Sequence, residues 1–279
     1  YHTAYVKDDG IPSTWTQATT QATKTTIQLS DMYDYDYTAP TLSSDGTLTA
    51  ATDTGSKKWD EFMNQLTFSE IKSLISSDDL HMEMTDIGKP HSNENDGSTQ
   101  FQYNSRSEID DVDYDGTWWV CSPIISATFN TDLSYRQGLM IGNEGLFMDI
   151  TGMWGFGLNT HRGAWGARAF EYYSSDPILT GYINAYVTAG CQEKGVNVYN
   201  KHFALNDQDS YRNTADGVCV FVNEQAYRQI YLKPYEIACK VGHNQAFMMS
   251  FTRNGAISAD NNYNLITKLA RGEWGFKGD

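Results

Sequence analysis

The chain has 279 residues, with 20 Lys plus Arg against 35 Asp plus Glu, a formal net charge of −15. With 40% hydrophobic residues it can bury a core, which excludes a chain disordered throughout. The acidic balance excludes nucleic acid and anionic membrane surfaces as partners, and no apolar run approaches the ~20 residues a membrane helix needs.

In chain order, residues 1–58 are rich in Thr, Ser, Asp and Tyr and poor in aliphatics, and they read as an irregular linker or wrapping arm. One short edge strand is expected at 25–29, before an acidic, aromatic run at 31–37. Trp59, Phe62, Met63 and Leu66 follow the i, i+3, i+4, i+7 spacing of a helix. Thr67 and Glu70 form a capping box that opens a second helix, with Ile71, Leu74 and Ile75 on its apolar face. Residues 81–117 are polar and loop-like. Within them Asp111, Asp113, Asp115 and Gly116 copy the first half of an EF-hand loop, but Ser122 stands where a bidentate Glu belongs, so no metal is assigned.

From Thr117 onward strands and helices alternate. Strands are expected at 118–127, 153–158, 196–203 and 246–251, and helices at 131–148, 177–194, 223–240 and 262–271. Asp176 followed by Pro177 is an N-cap and first-turn pair, and Gly195 ends that helix. Pro234 should kink the helix that contains it. Alternating elements imply βα units and a parallel sheet. No G-x-G-x-x-G follows a strand, so a dinucleotide fold is not supported and no cofactor is expected. The alternative is a barrel, whose chemistry lies in the loops just after its strands. Those loops carry Asn159, Thr160, His161 and Arg162, then Lys201 and His202, then Ser250 through Asn254. Cys121, Cys191, Cys219 and Cys239 are irregularly spaced, with no C-x-x-C, and read as free thiols. No N-x-S/T sequon occurs, which favours a cytoplasmic over a eukaryotic secreted protein.

Four ordered blocks carry a family resemblance. The stretch from Asn159 to Pro177 reads NTHRGAWGARAFEYYSSDP. Lys201 to Gln208 reads KHFALNDQ, Arg228 to Glu236 reads RQIYLKPYE, and Glu273 to Gly278 reads EWGFKG. Together they resemble glycoside hydrolase family 3, over residues 59–279. The resemblance implies a (β/α)8, TIM-like barrel, here incomplete, with about six βα units present and the barrel stopping about two strands early. It implies an α/β domain at 59–279 after the arm at 1–58. It also implies a β-glucosidase-like parent that hydrolyses terminal β-linked glucose, or a similar β-glycoside, with retention.

The site residues follow from the matched positions. Asp96, in Asn95-Asp96-Gly97, matches the aspartate that binds the terminal sugar. Arg168 matches an arginine that contacts sugar hydroxyls. Lys201 and His202 match an adjacent pair that holds them, and Met248 matches a methionine that flanks the ring. Arg162 completes the candidate set, with bracing of its loop as its other role. Such chemistry suits a sugar, which offers only hydroxyls and needs carboxylate acceptors and Arg or Lys donors. Adjacent residues on a strand face opposite ways, so Lys201 and His202 can reach one ligand only where the strand bends or ends.

Retaining hydrolysis needs two carboxyl groups about 5–5.5 Å apart. The family's nucleophile lies five residues beyond the position of Gly278, so Asp279 does not match it, and nothing matches the acid/base. No catalytic carboxylate is therefore assigned within the chain, which alone is expected to be inactive. Expected partners are a carbohydrate and the remaining domains of the parent. Departures such as Gly97-Ser98 for Gly-Pro and Phe251-Thr252 for Tyr-Asn support an alternative, a degenerate sugar-binding or structural protein without catalysis.

Overall fold

The computed structural model describes residues 24–38, 41–43, 48–75, 83–98, 100–101, 116–163, 166–212 and 217–278. The chain forms two compact units, Tyr1–Ser92 and Asn93–Asp279.

The first unit holds the antiparallel pair β1 (Thr41–Leu42) and β2 (Leu48–Thr49), then helices α1 (Thr54–Met63) and α2 (Phe68–Ile75). Asp53 caps α1 by accepting from the Ser56 amide at 2.8 Å. The Thr67–Glu70 capping box opens α2, with bonds of 2.6 and 3.2 Å. The boundary expected between residues 58 and 59 falls inside α1. Met32, Phe62, Leu66, Met84 and Ile87 form a small core, joined by Trp59 and Tyr35. Residues 25–28 are not the expected edge strand. The buried Gln65 side chain accepts from the Thr25 hydroxyl at 2.8 Å and donates to the Ile27 carbonyl at 2.9 Å, so a side-chain amide takes the place of a neighbouring strand. A 3₁₀ turn, Leu29–Met32, follows directly.

The second unit contains, in order, β3 (Glu94–Asp96), α3 (Ser122–Ser126), α4 (Thr131–Phe147), β4 (Gly152–Trp154), α5 (Pro177–Gln192), β5 (Asn197–Phe203) and β6 (Cys219–Val220). After these come a short helical turn α6 (Glu224–Ala226), then α7 (Lys233–Gly242), β7 (Ala246–Met249), β8 (Arg253–Asn254), β9 (Ile257–Ser258) and a π-helix at Asn264–Glu273. Strands β3, β4, β5 and β7 pair in that order, all parallel. This α/β arrangement is that of an incomplete TIM-like barrel, with the parallel strands connected through helices. The expected EF-hand-like run at 111–115 lies outside the described residues, as do Trp165 and Asp279.

Three expected elements differ. Residues 81–117, read as a loop, contain β3, which polar residues form by pairing with β4. Residues 118–127 form no strand. Pro123 lacks an N–H and its fixed φ suits a first helical turn, so α3 starts there, with Ile125 buried and Ile124 exposed. The helix expected at 223–240 is interrupted just before Pro234. The chain makes a π turn at Tyr227–Tyr231, breaks at Leu232, and restarts as α7 with Pro234 in the first turn, where its missing donor costs nothing.

Alternation along the strands sorts side chains to two faces. Met153 and Val198, both fully buried, point to the helices and pack with Ile141, Ile183 and Val187. The register Asp96↔Trp154 and Lys201↔Met248 puts those four residues on the opposite face. There the Trp154 indole and the Tyr199 hydroxyl both donate to Glu94, at 2.7 and 2.5 Å. A second core, with Phe203, Tyr235, Phe247 and Phe276, forms around the end of β5. Phe247 stacks on both Phe203 and Phe276, at ring-centroid distances of 4.4 and 4.5 Å.

Candidate active site

The ends of β3 and β5 bring four candidate residues together. Lys201 is 2% exposed, and its ammonium donates to Asp96 Oδ1 at 2.7 Å. The same ammonium lies 3.5 Å from Glu171 Oε2. Arg168 donates to both Glu171 oxygens, from Nε at 2.8 Å and Nη2 at 2.9 Å. Its Nη1 is 2.9 Å from His202 Nε2. Asp96, Arg168, Lys201 and His202 thus form one connected group, with Glu171 between the two cations.

Several local features hold Lys201 and His202. The peptide bond between them is cis, and the pairing of β5 with β7 shifts register between Lys201 and Phe203. Asn159 grips the His202 backbone on both sides, accepting from its N–H at 2.8 Å and donating to its carbonyl at 3.1 Å. The Tyr235 hydroxyl donates to the same carbonyl at 2.7 Å. One residue earlier, buried Asn200 is joined to Asn184 of α5 and to Asn244, each at 2.8 Å. Such satisfied buried amides fix strand against helix, because any shift would strand several polar groups without partners.

The network also sets the protonation of His202. An arginine only donates, so Nε2 must accept, and the neutral ring carries its proton on Nδ1. That N–H donates to the Tyr172 hydroxyl at 3.1 Å, which also accepts from Asn206 at 2.9 Å. Burial, then the charges of Arg168, Lys201 and Arg212, hold His202 well below its ordinary value of 6.5. Burial works against the Arg168 charge, but the hydrogen bond and charge of Glu171 outweigh it and raise that group.

A pH dependence of stability follows. Below pH 6.5 the unfolded chain takes up a proton on His202 that the folded chain refuses. This contribution is therefore present above pH 6.5 and lost as pH falls toward the lower folded value, with a slope approaching about 1.4 kcal/mol per pH unit. Urea unfolding at pH 7.5, 6.5 and 5.5 should show a shallower acid slope for His202→Gln than for the wild type. Parallel slopes would contradict the assignment.

The other two candidates stand apart. Met248 is half-buried beside Lys201 in the sheet register. Arg162 is exposed and lies over the Tyr231 ring, 6.0 Å from its centroid. Tyr231 hydrogen-bonds Asp207, whose carboxyl is pushed up by burial against the opposing effects of Tyr231 and Arg162. In the sequence Glu171 and Asp176 stand out only as candidate ion-pair partners of Arg168, Asn159 only as one polar residue of its loop, and Tyr172 and Asn206 carry no role. The one available signal was the i, i+3 spacing of Arg168 and Glu171, which the turn Ala169–Glu171 converts into a contact.

The profile described as "Glycosyl hydrolase family 3 N terminal domain" matches residues 113–279. The chain belongs to glycosyl hydrolase family 3. Among relatives of this family 3 chain, a probable beta-glucosidase I of Aspergillus flavus is 32% identical over 158 residues, 57% of this chain and 18% of that protein. A putative beta-glucosidase of Schizosaccharomyces pombe is 29% identical over 226 residues, covering 78% of this chain and 26% of that protein. Among solved structures, beta-glucosidase 3B from Thermotoga neapolitana in complex with glucose superposes with a TM-score of 0.71 at 29% identity, covering 79% of this chain and 33% of that one. The chain thus spans between 18% and 33% of the length of these relatives.

Proposed function

We propose that the parent protein hydrolyses terminal β-linked glucose, or a similar β-glycoside, with retention, and that this chain supplies most of the pocket for the terminal sugar. One observation carries the reading. On a family 3 chain, Asp96, Arg168, Lys201 and His202 converge at the strand ends through Glu171. A carboxylate that is 47% exposed beside a buried ammonium offers both an acceptor and a donor to sugar hydroxyls. Three of Arg168's five N–H groups are taken by Glu171 and His202, which leaves two for a ligand. Met248 would flank the ring, and Arg162 would lie at the rim on Tyr231. The relatives' names as β-glucosidases and the glucose complex of the Thermotoga enzyme support the same substrate class.

The chain's small share of its relatives' length supports a nucleophile and an acid/base supplied by parts of the parent outside these residues. The test uses the full-length parent with an aryl β-glucoside, following the anomer first released by NMR. Release of β-glucose is expected. Glucose binding without turnover across pH and across several aryl glycosides would instead support a sugar-binding protein without catalysis, and neither binding nor turnover would overturn both readings.

A further inference from the structure

We infer that Glu171 is the positioning residue of this pocket. Its carboxylate sets the placement of Arg168 and Lys201 together, and without it the two cations would not present their free N–H groups to one sugar. The inference rests on the sugar-binding reading above and deepens it.

Glu171 is 7% exposed at its side chain, and both its oxygens are committed. Oε1 accepts from Arg168 Nε at 2.8 Å. Oε2 accepts from Arg168 Nη2 at 2.9 Å and lies 3.5 Å from the Lys201 ammonium. It has little room for a ligand of its own, so it acts through its neighbours. A bidentate carboxylate fixes the plane of a guanidinium, which a single hydrogen bond does not. With Nε and one edge of Nη2 held, and Nη1 on His202, the two remaining N–H groups of Arg168 have a determined direction. The turn Ala169–Glu171 follows Arg168 directly, so guanidinium and carboxylate sit on one short rigid segment.

The charge count gives the second reason. Arg168 is 18% exposed and Lys201 only 2%, so two cations are largely removed from water beside a neutral histidine. Asp96 also faces Lys201, but at 47% exposure it is the carboxylate open to solvent and to a ligand. If a sugar hydroxyl competes for Asp96, Glu171 remains as the buried counter-charge that keeps Lys201 in place. The two carboxylates therefore divide the work, Asp96 toward the ligand and Glu171 toward the protein.

The experiment compares wild type, Glu171→Gln and Glu171→Asp in the full-length parent. It measures kcat and KM on an aryl β-glucoside and the inhibition constant of glucose, alongside circular dichroism and the thermal midpoint. Gln keeps the size but turns one oxygen into a donor that faces Arg168. The glucose inhibition constant is expected to rise about tenfold to a hundredfold, with a matching loss in kcat/KM, in protein that remains folded. Asp keeps the charge with a shorter reach and should give a rise of about severalfold. A purely structural role would lower the midpoint and leave the glucose constant of the folded protein unchanged. An active wild type with both variants within about twofold of it overturns the inference alone. A wild type that neither binds glucose nor turns over the glucoside overturns the sugar-binding reading and the inference with it.

Discussion

Replacing Lys201 with Met in the full-length parent is expected, under the proposed function, to lower kcat/KM on an aryl β-glucoside by about a hundredfold or more. Met keeps the volume and apolar stem of the side chain and removes only the ammonium. That ammonium is buried between two carboxylates, Asp96 at 2.7 Å and Glu171 at 3.5 Å. Removing one partner of a buried, hydrogen-bonded charge pair costs about 2–5 kcal/mol. Asp96 is 47% exposed and recovers part of that cost from water, so the lower end of the range applies, about 2–3 kcal/mol. Glu171 stays paired with Arg168, so the fold should survive. Steady-state kinetics beside a urea melt separates the two effects. A variant that keeps kcat/KM within about threefold of wild type would remove Lys201 from the pocket.

A second loss of stability is expected away from the site, at Gly138→Ala. Gly138 is on the face of α4 that meets α5, and the backbone there runs almost in contact. A Cβ on Gly138 would overlap the Val187 carbonyl oxygen and lie 2.9 Å from the Cys191 amide nitrogen. Both atoms are backbone inside a helix and cannot turn aside. In an exposed helix the same change would add about 1 kcal/mol through helix propensity. Here overpacking, at about 3 kcal/mol for a clash with fixed backbone, outweighs that gain, and a net loss of about 2 kcal/mol is expected. Gly142 repeats the arrangement against the Cys191 carbonyl oxygen, at 2.8 Å. Calorimetry of the full-length parent should show a lower midpoint for Gly138→Ala. An unchanged or raised midpoint would mean that α4 and α5 leave room for a methyl group between them.

Both substitutions act on contacts of different legibility. The α5 start at Asp176-Pro177 could be read from two adjacent residues, because a cap is a local device. Asp176 indeed accepts from the Ile178 and Leu179 amides, at 2.7 and 2.9 Å. The Thr67–Glu70 box was legible for the same reason. The apolar run at 118–127 misled because a short buried strand and a buried helical turn have similar composition, and the deciding residue was Pro123. Residues 25–28 misled because their partner is a side chain, Gln65, about 40 residues away.

The site divides along the same line. Motif blocks marked Arg168, Lys201 and His202 in the sequence, together with the family they imply. Nothing in the blocks marked Asn159 as the clamp on the His202 backbone, or Glu171 as the link between two cations. Those roles depend on which strand end lies beside which turn.

The sequence by itself determined the capped starts of α2 and α5, the alternation of helix and strand from α4 onward, and the family of the chain, since each is written in residues close together. The −15 charge belongs to the same set, because it is a sum over residues and does not depend on where they lie in space. Only the tertiary structure decided that Asp96 and Lys201 meet, because they stand 105 residues apart. Their contact arises from the parallel register of β3, β4 and β5, which places side chains on one face by hydrogen-bonded pairing. No local spacing rule encodes that register, and the contact between Asp96 and Lys201 depends on it.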